Sequence, residues 1–104
     1  MSAAARSKTS QSGTRVLRVL DALKGHSLTG VSNGELAKAL GESPATVNRV
    51  LNTLIEAGFA IRLDNGRFAH SVKLLQIAQA HANEMARSQS RINELSQRVA
   101  AGAH

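Results

Sequence analysis

Gly41-Glu42-Ser43-Pro44-Ala45-Thr46-Val47-Asn48-Arg49-Val50-Leu51-Asn52-Thr53-Leu54-Ile55-Glu56-Ala57-Gly58-Phe59 opens with a helix start signal and closes with a stop. Ser43 suits the N-cap, and Pro44 suits the first helical position, where a missing N–H costs nothing. Gly58 supplies the stop after about Ala57. Wound as a helix, the stretch places Val47, Val50, Leu51, Leu54 and Ile55 on one side, expected to pack on earlier helices. Ala45, Arg49, Asn52 and Glu56 centre the opposite side, flanked by Thr46, Asn48 and Thr53. That outward face is not the Glu/Lys mixture usual on a solvated helix. Asn and Thr each cost about half a kcal/mol relative to Ala at an exposed helical site, so stability alone gives no reason for four of them.

Upstream, Val16, Val19, Leu20 and Leu23 recur at i, i+3, i+4 and i+7, one face of a helix that stops at Gly25. A short polar link, His26 to Val31, follows. Ser32-Asn33-Gly34-Glu35 has the spacing of a capping box and starts a second helix that buries Leu36, Ala37 and Leu40 and ends at Gly41. Downstream, residues 59–63 alternate as a half-buried strand, and Asn65-Gly66 signals a type I′ hairpin turn returning through residues 67–70. This pairing sets Asp64 opposite Arg67 and Leu63 opposite Phe68. Arg62, Asp64 and Arg67 then share the outer face, while Ile61, Leu63 and Phe68 share the inner one. From Ser71 a helical stretch runs without Gly or Pro to Gly102.

The expected fold is mainly α with a small β-hairpin, a winged helix-turn-helix followed by a long C-terminal helix. Its parts are a disordered basic arm (1–12), the winged domain (13–70) and the long helix (71–101). The outward face of the third helix carries the groups that base edges require. Arg bonds guanine O6 and N7 together, Asn bonds adenine N6 and N7, and a Thr methyl touches the thymine methyl. Ala45, Thr46, Asn48, Arg49 and Asn52 are thus the candidate base readers. Ser43, Thr53, Arg62 and Arg67 are candidates for phosphate and wing contacts, with Arg6 and Lys8 on the flexible arm. Arg15, Arg18, Lys38 and Lys73 are available for further phosphate contacts.

The 41–59 stretch closely resembles the recognition-helix block of the isocitrate-lyase-regulator (IclR) family of bacterial transcription factors. Gln11-Ser12 through Leu17, Leu20, Asp21, Ala22 and Leu23 resembles that family's first helix, and Glu35-Leu36-Ala37-Lys38-Ala39-Leu40-Gly41 its second. Gly66-Arg67-Phe68 with Lys73-Leu74-Leu75 is similar to its wing and the start of its linker helix. The resemblance spans residues 11–78. It implies a winged helix that inserts residues 44–57 into the major groove, usually as a dimer on an inverted repeat. Ala45 stands where the family often carries a small hydroxyl residue. Family members continue into a ligand-sensing domain longer than this whole chain, whereas here one helix follows, so effector sensing is not implied. That economy points to a phage or mobile-element regulator.

Along the last helix Leu74, Ala78, His81, Met85, Ser88, Ile92, Leu95 and Val99 alternate spacings of four and three, the seam of a coiled coil. Self-pairing into a homodimer is the expected use of that seam, since the stretch is too poor in apolar mass to fold alone. Lys plus Arg outnumber Asp plus Glu by 13 to 7, a net charge of +6, which favours a polyanionic partner. There is no cysteine, hence no disulfide or thiolate chemistry. The four histidines show no ligand spacing and no Gly-rich phosphate loop exists, so no metal, cofactor or enzymatic activity is expected. Two phenylalanines are the only aromatics, which disfavours single-stranded or RNA binding. No apolar run spans a membrane and no signal peptide is present, so the expected location is the cytoplasm, on the nucleoid. The leading expectation is a sequence-specific binder of double-stranded DNA, a small regulator that represses by occupying a promoter. The alternative is an architectural DNA-binding or protein-docking module with little base specificity. Either leaves room for a partner protein that supplies regulation.

Overall fold

The computed structural model describes residues 7–103. The chain divides into two compact units, Met1–Leu74 and Leu75–His104. Helices α1 (Gln11–Ala22), α2 (Asn33–Leu40) and α3 (Pro44–Glu56) are followed by strands β1 (Ala60–Arg62) and β2 (Phe68–His70), and then by helix α4 (Val72–Gly102). This is the element order of a winged helix-turn-helix with a long helix after it.

Each helix boundary has a local cause. The Ser10 hydroxyl accepts the Gly13 amide at 3.0 Å and caps α1. Gln11 and Ser12, assigned from sequence to the basic arm, are therefore helical. The first turn of α1 is polar, so the apolar period begins later than the helix does. Arg6 and the start of the arm lie outside the described residues. At α2 the capping box is complete. The Ser32 hydroxyl accepts the Glu35 amide at 3.1 Å, and the Glu35 carboxylate accepts the Ser32 amide at 3.2 Å. Gly41, at φ 66°, ends α2, and the Glu42 amide turns back to the Ala37 carbonyl. Ser43 caps α3 by accepting the Thr46 amide at 3.1 Å. Past its far end Gly58 adopts φ 86°, the Phe59 amide reaches the Leu54 carbonyl at 2.8 Å and the Gly58 amide reaches Ile55 at 3.0 Å. Those two bonds form a Schellman cap, which delivers Phe59 to the edge of the core.

The core sits where the three short helices meet the hairpin. Val19 and Leu23 from α1 and its end, Leu36 from α2, Val47 and Leu51 from α3, and Phe68 from β2 are all buried. Burying a side chain such as Leu51 is worth roughly 1.5–3 kcal/mol. Val47, Val50, Leu51 and Leu54 face inward as the periodicity predicts, but Ile55 is 37% exposed. It stands at the edge of the apolar arc, where no element of this unit covers it fully.

The hairpin departs from the sequence expectation by one residue. Its register is Ala60↔His70, Ile61↔Ala69 and Arg62↔Phe68. The Leu63 amide then meets the Arg67 carbonyl at 2.7 Å, and the Gly66 amide meets the Leu63 carbonyl at 2.9 Å. Only Gly66 has positive φ, at 82°; Asn65 does not. The connection is thus a three-residue loop ending in a left-handed glycine, not a two-residue type I′ turn. Asn65 explains the choice, because its side chain accepts the Arg67 amide at 2.9 Å and donates to the Thr29 carbonyl at 3.2 Å. A one-residue slip flips every side chain to the other face. Arg62 now shares a face with Phe68, and Arg67 lies on the opposite one.

Val31, expected in a polar link, forms an antiparallel bridge with Phe68 through two 2.8 Å bonds. The wing therefore has a third, single-residue strand. Gly30 must be glycine for this: it has φ 75°, and an added Cβ would lie 2.8 Å from Arg67 Cβ and 2.9 Å from Leu63 Cδ1. Buried Ser71 starts α4, its hydroxyl accepting the Leu74 amide at 3.1 Å and donating to the Gly58 carbonyl at 2.6 Å. The second unit is helical through Gly102, and none of the residues of α4 is buried. Among the described residues no helix is long and apolar enough to cross a membrane.

Candidate nucleic-acid interface

The outward side of α3 carries the residues that its periodicity assigned there. Ala45, Asn48, Arg49, Asn52 and Thr53 are exposed, and Thr46 is half-buried. Neither Asn48 nor Asn52 has a hydrogen-bond partner among the described residues, so both amides keep their full donor and acceptor capacity. Arg49 makes one long contact, Nη2 to Thr46 Oγ1 at 3.5 Å, which leaves most of its fork available. Three other candidates already have local duties. Ser43 caps the helix and donates its hydroxyl to Thr46 Oγ1 at 2.9 Å. Thr46 accepts that bond. Thr53 donates its hydroxyl to the Arg49 carbonyl at 3.0 Å, one turn back along the helix.

The two wing arginines separate. Arg67 turns toward the body of the domain, where its guanidinium pairs with the Glu35 carboxylate and its Nε donates to the Gly30 carbonyl at 3.2 Å. It clasps the wing to the start of α2, and the hairpin register puts it on the face opposite Arg62 instead of beside it. The Ser32 hydroxyl, the Ser32 amide and then Arg67 hold the Glu35 carboxyl below its ordinary range. Arg62 lies over the Phe68 ring, 5.2 Å from its centroid. It has no hydrogen bond or ion pair among the described residues.

Two of the additional basic residues are also tied down. Arg15 Nε donates to Glu42 Oε1 at 3.2 Å, with Arg18 Nη1 4.0 Å from the same oxygen. Arg18 Nη2 reaches the Leu40 carbonyl at 3.3 Å. Together they fasten α1 to the turn between α2 and α3, which fixes the aim of α3. Lys73 covers the Phe59 ring at 4.9 Å. Lys38 is exposed on α2, and Lys8 is exposed ahead of α1. Between α3 and the wing runs a groove of about 270 Å³ lined by Asn48, Asn52, Ile55, Arg62 and Phe68. Sequence reasoning missed Ile55 and Phe68 as groove walls, because both looked like ordinary core residues. Among the described residues no group of His, Asp or Glu side chains could hold a metal ion.

The model of the IclR helix-turn-helix domain matches residues 12–64. This chain belongs to the IclR helix-turn-helix family. The IclR match runs from the first turn of α1 to the hairpin loop and so contains α3, both its caps and Arg62. The family is one of helix-turn-helix regulators and not of enzymes. Among solved structures, HmgR of Pseudomonas aeruginosa is similar at 26% identity and a TM-score of 0.59, over 68% of this chain and 29% of that one. This chain thus spans less than a third of HmgR. A variant of S. aureus MepR is similar in fold at 20% identity and a TM-score of 0.52, over 84% of this chain and 72% of that one. No curated protein matches the chain.

Proposed function

We propose that this IclR-type domain binds double-stranded DNA sequence-specifically by laying α3 in the major groove, and that the chain is a small transcriptional regulator. The observation that carries this reading is the outward face of α3, where Asn48, Arg49 and Asn52 are exposed with their polar ends available while the same helix buries Val47 and Leu51. A helix gripped so firmly on one side presents the other at fixed geometry, which is what direct readout needs. Arg49 matches guanine O6 and N7, Asn48 and Asn52 match adenine N6 and N7, and Ala45 suits a thymine methyl. Ser43 and the Ala45 amide, at the N-terminal end of α3, suit a phosphate as helix N-termini do, while the Thr46 amide is already held by Ser43. Lys8 and Arg6, with the net charge of +6, add sequence-independent attraction.

The same reading makes the chain a homodimer on an inverted repeat, acting as a repressor by occupying a promoter on the nucleoid. Its support is the seam of α4, where Met85, Ile92, Leu95 and Val99 are 48–64% exposed and have no partner among the described residues. Leu74, Ala78 and His81 carry the same spacing back toward the start of α4. Each reading helix then takes one half-site, the two separated by about 34–36 Å or a multiple.

Selection of bound duplexes from a random pool tests this directly. The expected result is a two-fold-symmetric consensus, with Arg49→Ala relaxing one position of each half-site by about 5- to 150-fold in preference. Failure of the full chain to bind any duplex at low salt would sink the proposal. Binding without a consensus would leave an architectural role in its place.

A further inference from the structure

The two arginines of the wing are chemically alike in sequence but not in structure, and the difference points past phosphate contact. The hairpin tip itself is ill-suited to an anion. It consists of Asp64, Asn65 and Gly66, of which the first is acidic and the second has its amide occupied by the Thr29 carbonyl and the Arg67 amide. Arg67 is engaged by Glu35 and Gly30. Arg62 alone on the hairpin keeps its guanidinium available, and it faces the groove between β1 and α3 together with Asn48, Asn52 and Ile55. None of the five residues lining that groove is acidic.

The place of the Arg62 guanidinium over the Phe68 ring, 5.2 Å from its centroid, matters for what such a group can do. A cation–π contact of this kind favours one placement of the guanidinium before any ligand arrives. Its N–H edges lie in its own plane and stay available to a partner. Phosphate contact needs only positive charge within reach, and a flexible side chain suffices for it. A planar fork placed over an aromatic ring beside two free carboxamides is instead an arrangement suited to a planar pair of acceptors. Guanine O6 and N7 in the major groove are such a pair. Exposed Ile55 gives the groove an apolar wall, which fits a base edge better than a hydrated phosphate.

We propose that Arg62 is a base-reading residue, which binds guanine in the major groove and extends the surface of α3 beyond the positions contacted by Asn48, Arg49 and Asn52. This rests on the DNA-binding reading above. It deepens that reading by moving the wing arginine from backbone contact to specificity.

Duplex selection with the full chain, compared across wild type, Arg62→Ala and Arg62→Lys, tests the assignment. Because Arg62 is exposed, both variants should fold, and amide spectra of the core residues verify that. The expected wild-type consensus carries a guanine flanking the block that Arg49→Ala disturbs. Arg62→Ala should lose preference at that position by about 5- to 150-fold while the other positions keep theirs. Arg62→Lys retains the charge but not the planar fork, and should restore overall affinity more than it restores that preference. An unchanged consensus in Arg62→Ala, with all sequences weakened alike and full rescue by Arg62→Lys, would assign Arg62 to phosphate and overturn the proposal. If wild type itself enriches nothing, the parent reading has failed and this one falls with it.

Discussion

Replacing Gly30 with alanine adds one methyl group, and two separable costs follow from where it lands. The first is conformational. Gly30 has φ 75°, and an L-residue in the left-handed region costs roughly 1–2 kcal/mol. The second is steric. The new Cβ would lie 2.8 Å from Arg67 Cβ, 2.9 Å from Leu63 Cδ1 and 3.1 Å from the Phe68 carbonyl oxygen. Two of these three are backbone or Cβ atoms that cannot rotate away, so Val31 and β2 must separate, an overpacking cost of about 1–3 kcal/mol. Restricting the unfolded chain returns about 0.4–1 kcal/mol. The net loss is about 1–5 kcal/mol, a large part of the roughly 5–15 kcal/mol that holds a small domain together. Gly25 supplies the control, since its φ is 79° but nothing lies within 4 Å of an added Cβ. Gly25→Ala carries only the conformational cost. Urea unfolding followed by NMR of the Leu51 and Val19 methyls is the suitable assay, because the chain has no Trp or Tyr and α4 would dominate a helicity signal. With a slope of about 1–3 kcal/mol per molar urea, the steric cost should lower the Gly30→Ala midpoint by about 1 M more than the Gly25→Ala midpoint. Equal midpoints for the two variants would refute the close approach of Gly30 to the wing.

Three further outcomes follow from particular contacts. Ser71→Ala removes both the cap of α4 and the only side-chain donor to the Gly58 carbonyl among the described residues, and should cost about 1–3 kcal/mol in the same unfolding assay. Glu35 has its folded pKa depressed, so its share of stability is present above the unfolded glutamate value and is lost as pH falls through the lower folded one. Titrating unfolding midpoints downward from pH 6 should therefore show a fall that Glu35→Gln lacks, and identical profiles would remove the Glu35–Arg67 clasp from the account. Ile92→Asp places a charge on the exposed α4 seam and should convert a sedimenting dimer of the full chain to monomer without unfolding residues 11–74. A wild-type chain that sediments as monomer at every concentration would end the coiled-coil reading.

Much of the candidate interface was legible because its causes are local. Ser32 with Glu35, Ser43 with Pro44 and Thr46, and Gly58 with Phe59 each set a helix boundary through partners no more than five residues away. The apolar spacing of Val47, Val50, Leu51 and Leu54 then set which way α3 faces. Asn48, Arg49 and Asn52 had nowhere to go but outward. Ile55 escaped the same reasoning, since an apolar residue at the edge of an arc is buried or exposed according to what neighbour happens to arrive.

Amino-acid order alone determined the helices, their caps, the outward chemistry of α3 and the heptad spacing of α4, all of which depend on neighbours within a turn or two. Only the tertiary structure decided the hairpin register, the strand made by Val31 and the separate duties of Arg62 and Arg67. Those depend on residues far away in the chain: Asn65 on Thr29, and Arg67 on Gly30 and Glu35. In a three-residue strand the side-chain alternation fits either register about equally well. Contacts across more than thirty residues break that tie, and no local pattern encodes them.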